Sequence, residues 1–403
     1  MKILQLIQDN IILYQAFVLC LFLVGITITE TMTVTLSVYI VLCMLPFFSK
    51  FNWLKDSFTF LFVVVSLAYL VFGIFCQNTV EAISVFCGRL LQFIALLLFY
   101  KVAVSVIEID IRKILITAVT FESILGVYMF SLGIASTTTN AMFRLVAGHQ
   151  PVGGNFSVVI LPLIVWAYFH DIENRKFIIK SSFILMFWIA LSGTRGYILI
   201  WILSMSPIFI DYFKNISFAK KGLAISIISI VAVGYLGLSE GGLFDFLYKL
   251  LRLGGGTGIR SYENGVAMET FSNTTILHQL FGMGLGGTAI EVPGYADAVI
   301  KYMRTSWSYN LYISRVGASF HSLYSNIILM QGIIGCTLIG GVFIWGWNKI
   351  AGGYVSCNRE RLCLYLFWIG FFLMNYFRWS CDCGVSEMAM LGIVLTKLRR
   401  ENE

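Results

Sequence analysis

An all-helical polytopic membrane protein with about twelve spans is the fold class this chain predicts, and three observations carry the prediction. Its 403 residues are 58% hydrophobic and only 12% charged, with a mean hydropathy of +0.84, which is too apolar for a water-soluble globule with a polar shell. Apolar windows close to the roughly 20 residues that a spanning helix needs recur along the chain. Lys and Arg are sorted between alternate loops, as cytoplasmic loops demand.

The windows fall at 11–29, 32–49, 57–76, 79–100, 114–133, 155–169, 177–192, 196–212, 222–238, 322–346, 362–377 and 383–396. Backbone in hydrocarbon must bond internally, and runs this continuous read as helices, because barrel strands would alternate. The first run is long enough to span and has no small-residue cleavage site, so it is expected to stay as the first helix. With the N-terminus inside, the cytoplasmic loops hold Lys2, Lys50, Lys55, Lys101, Arg112, Lys113, Arg175, Lys176, Lys180, Lys214, Lys220 and Lys221. Lys349, Arg359, Arg361, Lys397, Arg399 and Arg400 complete the series, against Arg144, Arg195 and Arg378 in the short outer loops. The asymmetry puts both termini in the cytoplasm and the long 239–320 loop outside. The net charge of +7 is then mostly a topology signal, and no nucleic-acid partner is expected.

One integral domain over 1–403 is expected, without a Pro-rich linker, low-complexity tract or clear internal repeat. Of the nine cysteines only Cys381 and Cys383 face the outer side, which leaves no disulfide framework and no zinc site. Within the loop, 243–253 suits a helix lying in the interface, with Lys249 and Arg252 snorkelling outward. A glycine-rich break at 254–258 is expected next, then a helix over about 259–271 with Arg260, Asn264, Ala267 and Phe271 on one face. The FGMGLGG segment at 281–287 predicts flexible backbone that approaches a ligand closely. Arg89, deep in a span, with Glu122 in the next, reads as a structural intramembrane pair, with a place in a conduction or binding path as the alternative.

Seven of the nine outer basic residues are Arg, namely Arg144, Arg195, Arg252, Arg260, Arg304, Arg315 and Arg378, beside Lys249 and Lys301. A topology signal uses Lys and Arg alike, whereas a phosphate site favours the planar guanidinium. The bias hints at phosphate chemistry outside. Glu240, Asp245, Glu263, Glu269, Glu291 and Asp297 balance the six basic residues of the long loop, so an anion site needs selected arginines that converge. No Asp-x-Asp pattern for a metal–diphosphate site occurs on the outer face, and a P-loop, a Rossmann fingerprint and a His-Glu-x-x-His pattern are absent. Metal-free, cofactor-free chemistry is expected. His321, where the loop meets the next span, fits either a proton acceptor or an interfacial anchor. Trp307, Tyr309 and Tyr312 fit either sugar stacking or interfacial anchoring.

His321-Ser322, nine residues, Gly332, two residues and Gly335 resemble the His-[Asn/Ser/Gln]-x9-Gly-x-x-[Gly/Thr/Tyr] motif of the O-antigen ligase and O-antigen polymerase family. The SGTRG segment at 192–196, with Arg195, and Arg260 ahead of the FGMGLG segment also resemble that family, and Arg144 with Asn155 is a weaker match. The resemblance covers the plan from about 140 to 346. Its small residues would let the helix after His321 pack closely on a neighbour. It implies an integral-membrane glycosyltransferase of the GT-C-like kind in the bacterial inner membrane, with the long periplasmic loop bearing short helices. The donor it implies is an undecaprenyl-pyrophosphate-linked oligosaccharide; membrane lipid and a chain-length regulator are the further partners. His321, Arg260 and Arg195 are then the expected catalytic residues, with Arg195, Arg260, Arg144 and Arg304 on the pyrophosphate.

Ligases more often look like His-x-His-Asn where this chain has SFHS at 319–322, which favours the polymerase over the ligase that transfers glycan to lipid A core. A capsule or exopolysaccharide polymerase would look the same. The reading from a different class is a flippase of lipid-linked oligosaccharide. Against it stand the single large outer loop and the scarcity of ionisable residues within spans.

Overall fold

The computed structural model describes residues 57–75, 158–191, 195–214, 255–284, 289–304, 309–314, 323–352 and 357–375, with scattered positions between 41 and 127 and at 391–394. Among these residues every regular element is helical and there is no strand, in agreement with the all-helical part of the expectation. The windows 11–29 and 222–238 and the interfacial stretch 243–253 lie outside the described residues, as does 32–49 apart from position 41.

Among the described residues, the helices with defined bounds before the long loop are α1 (Ser57–Phe75), α2 (Leu161–His170), α3 (Arg175–Leu191) and α4 (Arg195–Lys214). The loop itself forms α5 (Gly255–Asn273), α6 (Ile276–Phe281), α7 (Tyr295–Met303) and α8 (Tyr309–Ser314). Beyond it run α9 (Leu323–Gly352) and α10 (Asn358–Asn375). Among the described residues α9 alone is long and apolar enough to cross a membrane, with 29 residues over Tyr324–Gly352 at mean hydropathy 2.2. The apolar stretches Val63–Phe75, Leu161–His170 and Leu199–Tyr212 are shorter.

A first core joins α2, α3, α4 and α10 around the fully buried Trp201, Phe367, Trp368 and Phe371. These large rings remove the most apolar surface per residue. Directional contacts fix the helices: Trp368 Nε1 donates to the Phe343 carbonyl of α9 at 3.0 Å, and Ser204 Oγ to the Cys363 carbonyl at 3.4 Å. Pro207 lies inside α4 and cannot donate to the carbonyl four residues back; Ser206 Oγ donates to that Leu203 carbonyl instead, at 2.9 Å. Contacts sort by helix end. His170, closing α2, is 3.2 Å from Glu360 at the start of α10, and Arg359 pairs with Asp211 near the end of α4. Toward the other end of α10, the Phe372 carbonyl accepts from Tyr324 Oη at 2.9 Å.

The second core belongs to the long loop and the start of α9, around Val266, Ala267, Tyr295, Ala298, Val299, Met303 and Leu329. Buried positions 295, 298, 299 and 303 have the spacing of one face of a helix, which seats α7 on α5. Helix α5 starts at Gly255, so the break expected at 254–258 is not there. Glycine lowers helix propensity but forbids nothing, and the cost is smallest in a first turn whose N–H groups have no partner within the helix.

At Gly332 α9 is broken by φ 60 and ψ −154, a combination nearly exclusive to glycine. Residues 333–352 extend about 30 Å beyond the break, the thickness of a hydrocarbon core, while Ile328, Leu329 and Met330 before it pack in the second core. Helix α6 fills the break. Thr275 caps its N-terminus, accepting from the His278 N–H, and Gly282 ends it at φ 64. A Cβ on Gly332 would meet the Gln279 and Leu280 carbonyls, and one on Gly282 would meet Leu329 and Met330 backbone. The freed carbonyls are satisfied: Met283 N–H donates to Leu329 at 2.9 Å, and Tyr69 Oη of α1 to Gln331 at 2.5 Å. Gly332 therefore accommodates a loop helix rather than a spanning neighbour, and Gly335 faces Gln331 and Ile327 of its own helix. The close packing on a neighbouring helix expected of these small residues is thus present at Gly332, where backbone meets the backbone of α6 at a break.

Phe281 stacks on Phe72 at 5.1 Å and meets Tyr69 edge-on at 5.5 Å, which docks α6 on α1. His278 also meets Phe72 edge-on, at 5.4 Å, and burial there holds its imidazole below the usual histidine range. Protonation then favours the undocked chain, whose histidine titrates near 6.5. The dock is at full strength above that value and weakens as pH falls through the folded pKa. Amide protection factors at 276–284 are expected to fall between about pH 7.5 and about pH 5, and a His278→Phe protein to lose that dependence.

Candidate functional site

Helix α5 carries Arg260 in its second turn. The face expected to hold Arg260, Asn264, Ala267 and Phe271 turns inward where it is described: Ala267 is buried and Asn264 and Phe271 are partly buried. Between Asn264 and Ala267, Val266 enters the second core. One residue before Asn264 the apolar packing is interrupted by Glu263, whose exposure is 0%. Tyr312 Oη of α8 donates to its Oε1, and Tyr295 Oη of α7 donates to the Tyr312 carbonyl at 3.3 Å. Burial, and then the Glu263 carboxylate, raise the Tyr295 phenol above its ordinary value. A carboxylate out of water is costly unless hydrogen-bonded, and here the tyrosine supplies a bond.

Next along α5, Asn264 Oδ1 accepts from Ser325 Oγ in the first turn of α9. Ser325 and its neighbour Asn326 are both buried. Neighbouring polar side chains of α5 thus bond to α8 and to the first turn of α9, which follows His321 by two residues. Glu269, farther along α5, pairs at 2.9 Å with Lys301 of α7. The Lys301 hydrogen bond holds the Glu269 carboxyl below its usual range.

Of the residues expected to act, Arg260 lies on α5 one turn before Asn264, which bonds Ser325 in the first turn of α9. Arg195 opens α4, and that helix packs on α10, α3 and α2. Arg304 follows the last turn of α7 and is exposed. His321, Arg144, Asn155, Arg89, Glu122 and Trp307 lie outside the described residues. Two expectations are corrected. Tyr312 is 2% exposed and its hydroxyl is engaged by Glu263, so it is neither a sugar platform nor an interfacial anchor. Glu263, counted from sequence among the charges that balance the loop, is an internal hydrogen-bond acceptor. A signal was present in the chain: at that position a carboxylate neighbours a face that otherwise carries Ala267 and Phe271.

No protein-family model matches this sequence, and no characterised protein matches it at a significant level.

Proposed function

We propose that the chain is an inner-membrane glycosyltransferase that joins undecaprenyl-pyrophosphate-linked oligosaccharide repeat units on the outer face, as O-antigen polymerases do, without a metal ion. The observation that carries this reading is the Asn264–Ser325 hydrogen bond. In sequence Arg260 stands four residues before Asn264, and His321 four before Ser325. Arg260 is about 6 Å along the helix from Asn264 and the chain from His321 to Ser325 reaches at most about 14 Å, so this bond ties together the two stretches that carry the family pattern, which supports the reading.

The twelve-span arrangement belongs to the same proposal, and the sorting of contacts supports it. His170, Asp211, Arg359 and Glu360 meet at helix ends that the basic residues assign to the cytoplasm. Tyr324 with Phe372, and α6 with Phe72, meet at ends assigned to the outside.

In the reaction the acceptor hydroxyl oxygen of one lipid-linked unit attacks the anomeric carbon of another. The bond from that carbon to the phosphate oxygen breaks, the hydroxyl proton passes to the His321 imidazole, and undecaprenyl pyrophosphate leaves. Arg260 and Arg195, with Arg144 and Arg304 as further contacts, stabilise the charge that accumulates on the leaving pyrophosphate, where electrostatic help counts most. A single displacement inverts the anomeric centre.

The test supplies purified protein with an undecaprenyl-pyrophosphate-linked repeat unit and chelator, then adds lipid A core, and resolves the products by size. A ladder from the repeat unit alone is expected. Transfer only when core is present would make the protein a ligase. No new bond in either case, beside active controls, would replace the reading with lipid-linked oligosaccharide transport.

A further inference from the structure

We infer that Glu263 and Tyr312 are positioning residues for this transfer: their buried bond, together with Asn264–Ser325, fixes the register of α5 against α8 and α9 and so decides where Arg260 stands. The inference rests on the glycosyl-transfer reading for its consequence, and on the geometry of the second core for its cause.

The core that holds α5 is largely aliphatic, with Val266, Ala267, Val299 and Met303 at its centre. Apolar contact is non-directional, so such a core restrains the rotation and slide of a helix only weakly. Glu263 changes that. With 0% exposure its carboxylate is tolerated only in a register where donors reach it, and Tyr312 Oη is one such donor. Tyr312 is itself held through its carbonyl by Tyr295, and the adjacent Asn264 reaches a different helix, α9. Two neighbouring residues of α5 therefore bond to two separate elements, which removes both rotation and slide. Arg260 is one turn away on the same rigid helix. A misplacement of about 1 Å at a group that orients a reaction costs on the order of 100-fold in rate.

A role in stability alone predicts something different. Exchanging both members of a buried polar pair for apolar groups of similar volume is commonly neutral or stabilising. The Glu263→Met/Tyr312→Phe protein is accordingly expected to insert and to melt like wild type. Its kcat should nevertheless fall by roughly 10- to 100-fold, with KM for the lipid-linked repeat unit nearly unchanged. Glu263→Gln, which keeps an acceptor for Tyr312, should recover most of kcat. In the same double-variant preparation, amide protection at 255–273 and 323–331 should fall together while 295–303 stays protected. If the double variant fails to insert, Tyr312→Phe alone carries the same expectations for kcat and for exchange, with a lower melting point because the buried Glu263 carboxylate loses a donor.

Wild-type turnover in a well-inserted double variant overturns the inference, and so does unchanged exchange at 255–273 and 323–331, whatever the turnover. If wild-type protein itself forms no glycosidic bond, the transfer reading fails. The exchange measurement then decides the register lock by itself.

Discussion

Alanine at His321 is expected to slow polymer formation by roughly 10²- to 10⁴-fold, the usual contribution of a positioned acid or base, in protein inserted at ordinary levels. Arg260→Ala should be milder. One charge-assisted hydrogen bond contributes about 1.5–3 kcal/mol, or roughly 10- to 150-fold in rate, and other arginines share the pyrophosphate. Arg260→Lys separates charge from geometry, because an ammonium keeps the first and loses the two-pronged fork. These values are read from the length and yield of the ladder made by purified variants, beside membrane levels of each protein. A transporter should tolerate both alanines. Ordinary full-length polymer from both variants would sink the enzyme reading.

The parts of this molecule that could be read from its sequence are those governed by one-dimensional rules. Hydropathy and length located α1, α3, α4 and α10 within a few residues, because continuous apolar runs of that length read as helix and not as alternating strand. Spacing placed Asn264 and Ala267 on the Arg260 face of α5, and order and spacing singled out the Gly332 region. What escaped depends on chain segments far apart in sequence. That Glu263 is buried follows from α7 and α8 covering it, and its partner Tyr312 is 49 residues away. The same distance hid the role of Tyr312, since a loop tyrosine with no known neighbour looks like a surface aromatic. The start of α5 at Gly255 was missed because a run of glycines signals a break by propensity, and packing against α7 and α9 outweighs that preference.

Gly332→Ala is expected to be among the most damaging single methyls added to the described part of the chain. Its φ of 60 and ψ of −154 lie where a residue with a Cβ is strained by on the order of 1–3 kcal/mol before any contact is considered. The new methyl would also fall on the Gln279 and Leu280 carbonyls, which are backbone and cannot swing aside as a side chain can. To relieve the clash α6 must leave the break. That strips Leu329 of its donor from Met283 and undoes the packing of Phe281 on Phe72 and Tyr69. Because Gly282 faces the same junction from the other side, Gly282→Ala should lose the same contacts. Once α6 has been expelled a second methyl has nothing left to displace, so the double variant should melt close to the worse single variant, well short of the sum. Thermal midpoints of the four purified proteins test this. Two independent, additive losses would mean that the glycines serve separate local turns, and that α6 is not what holds the break in α9.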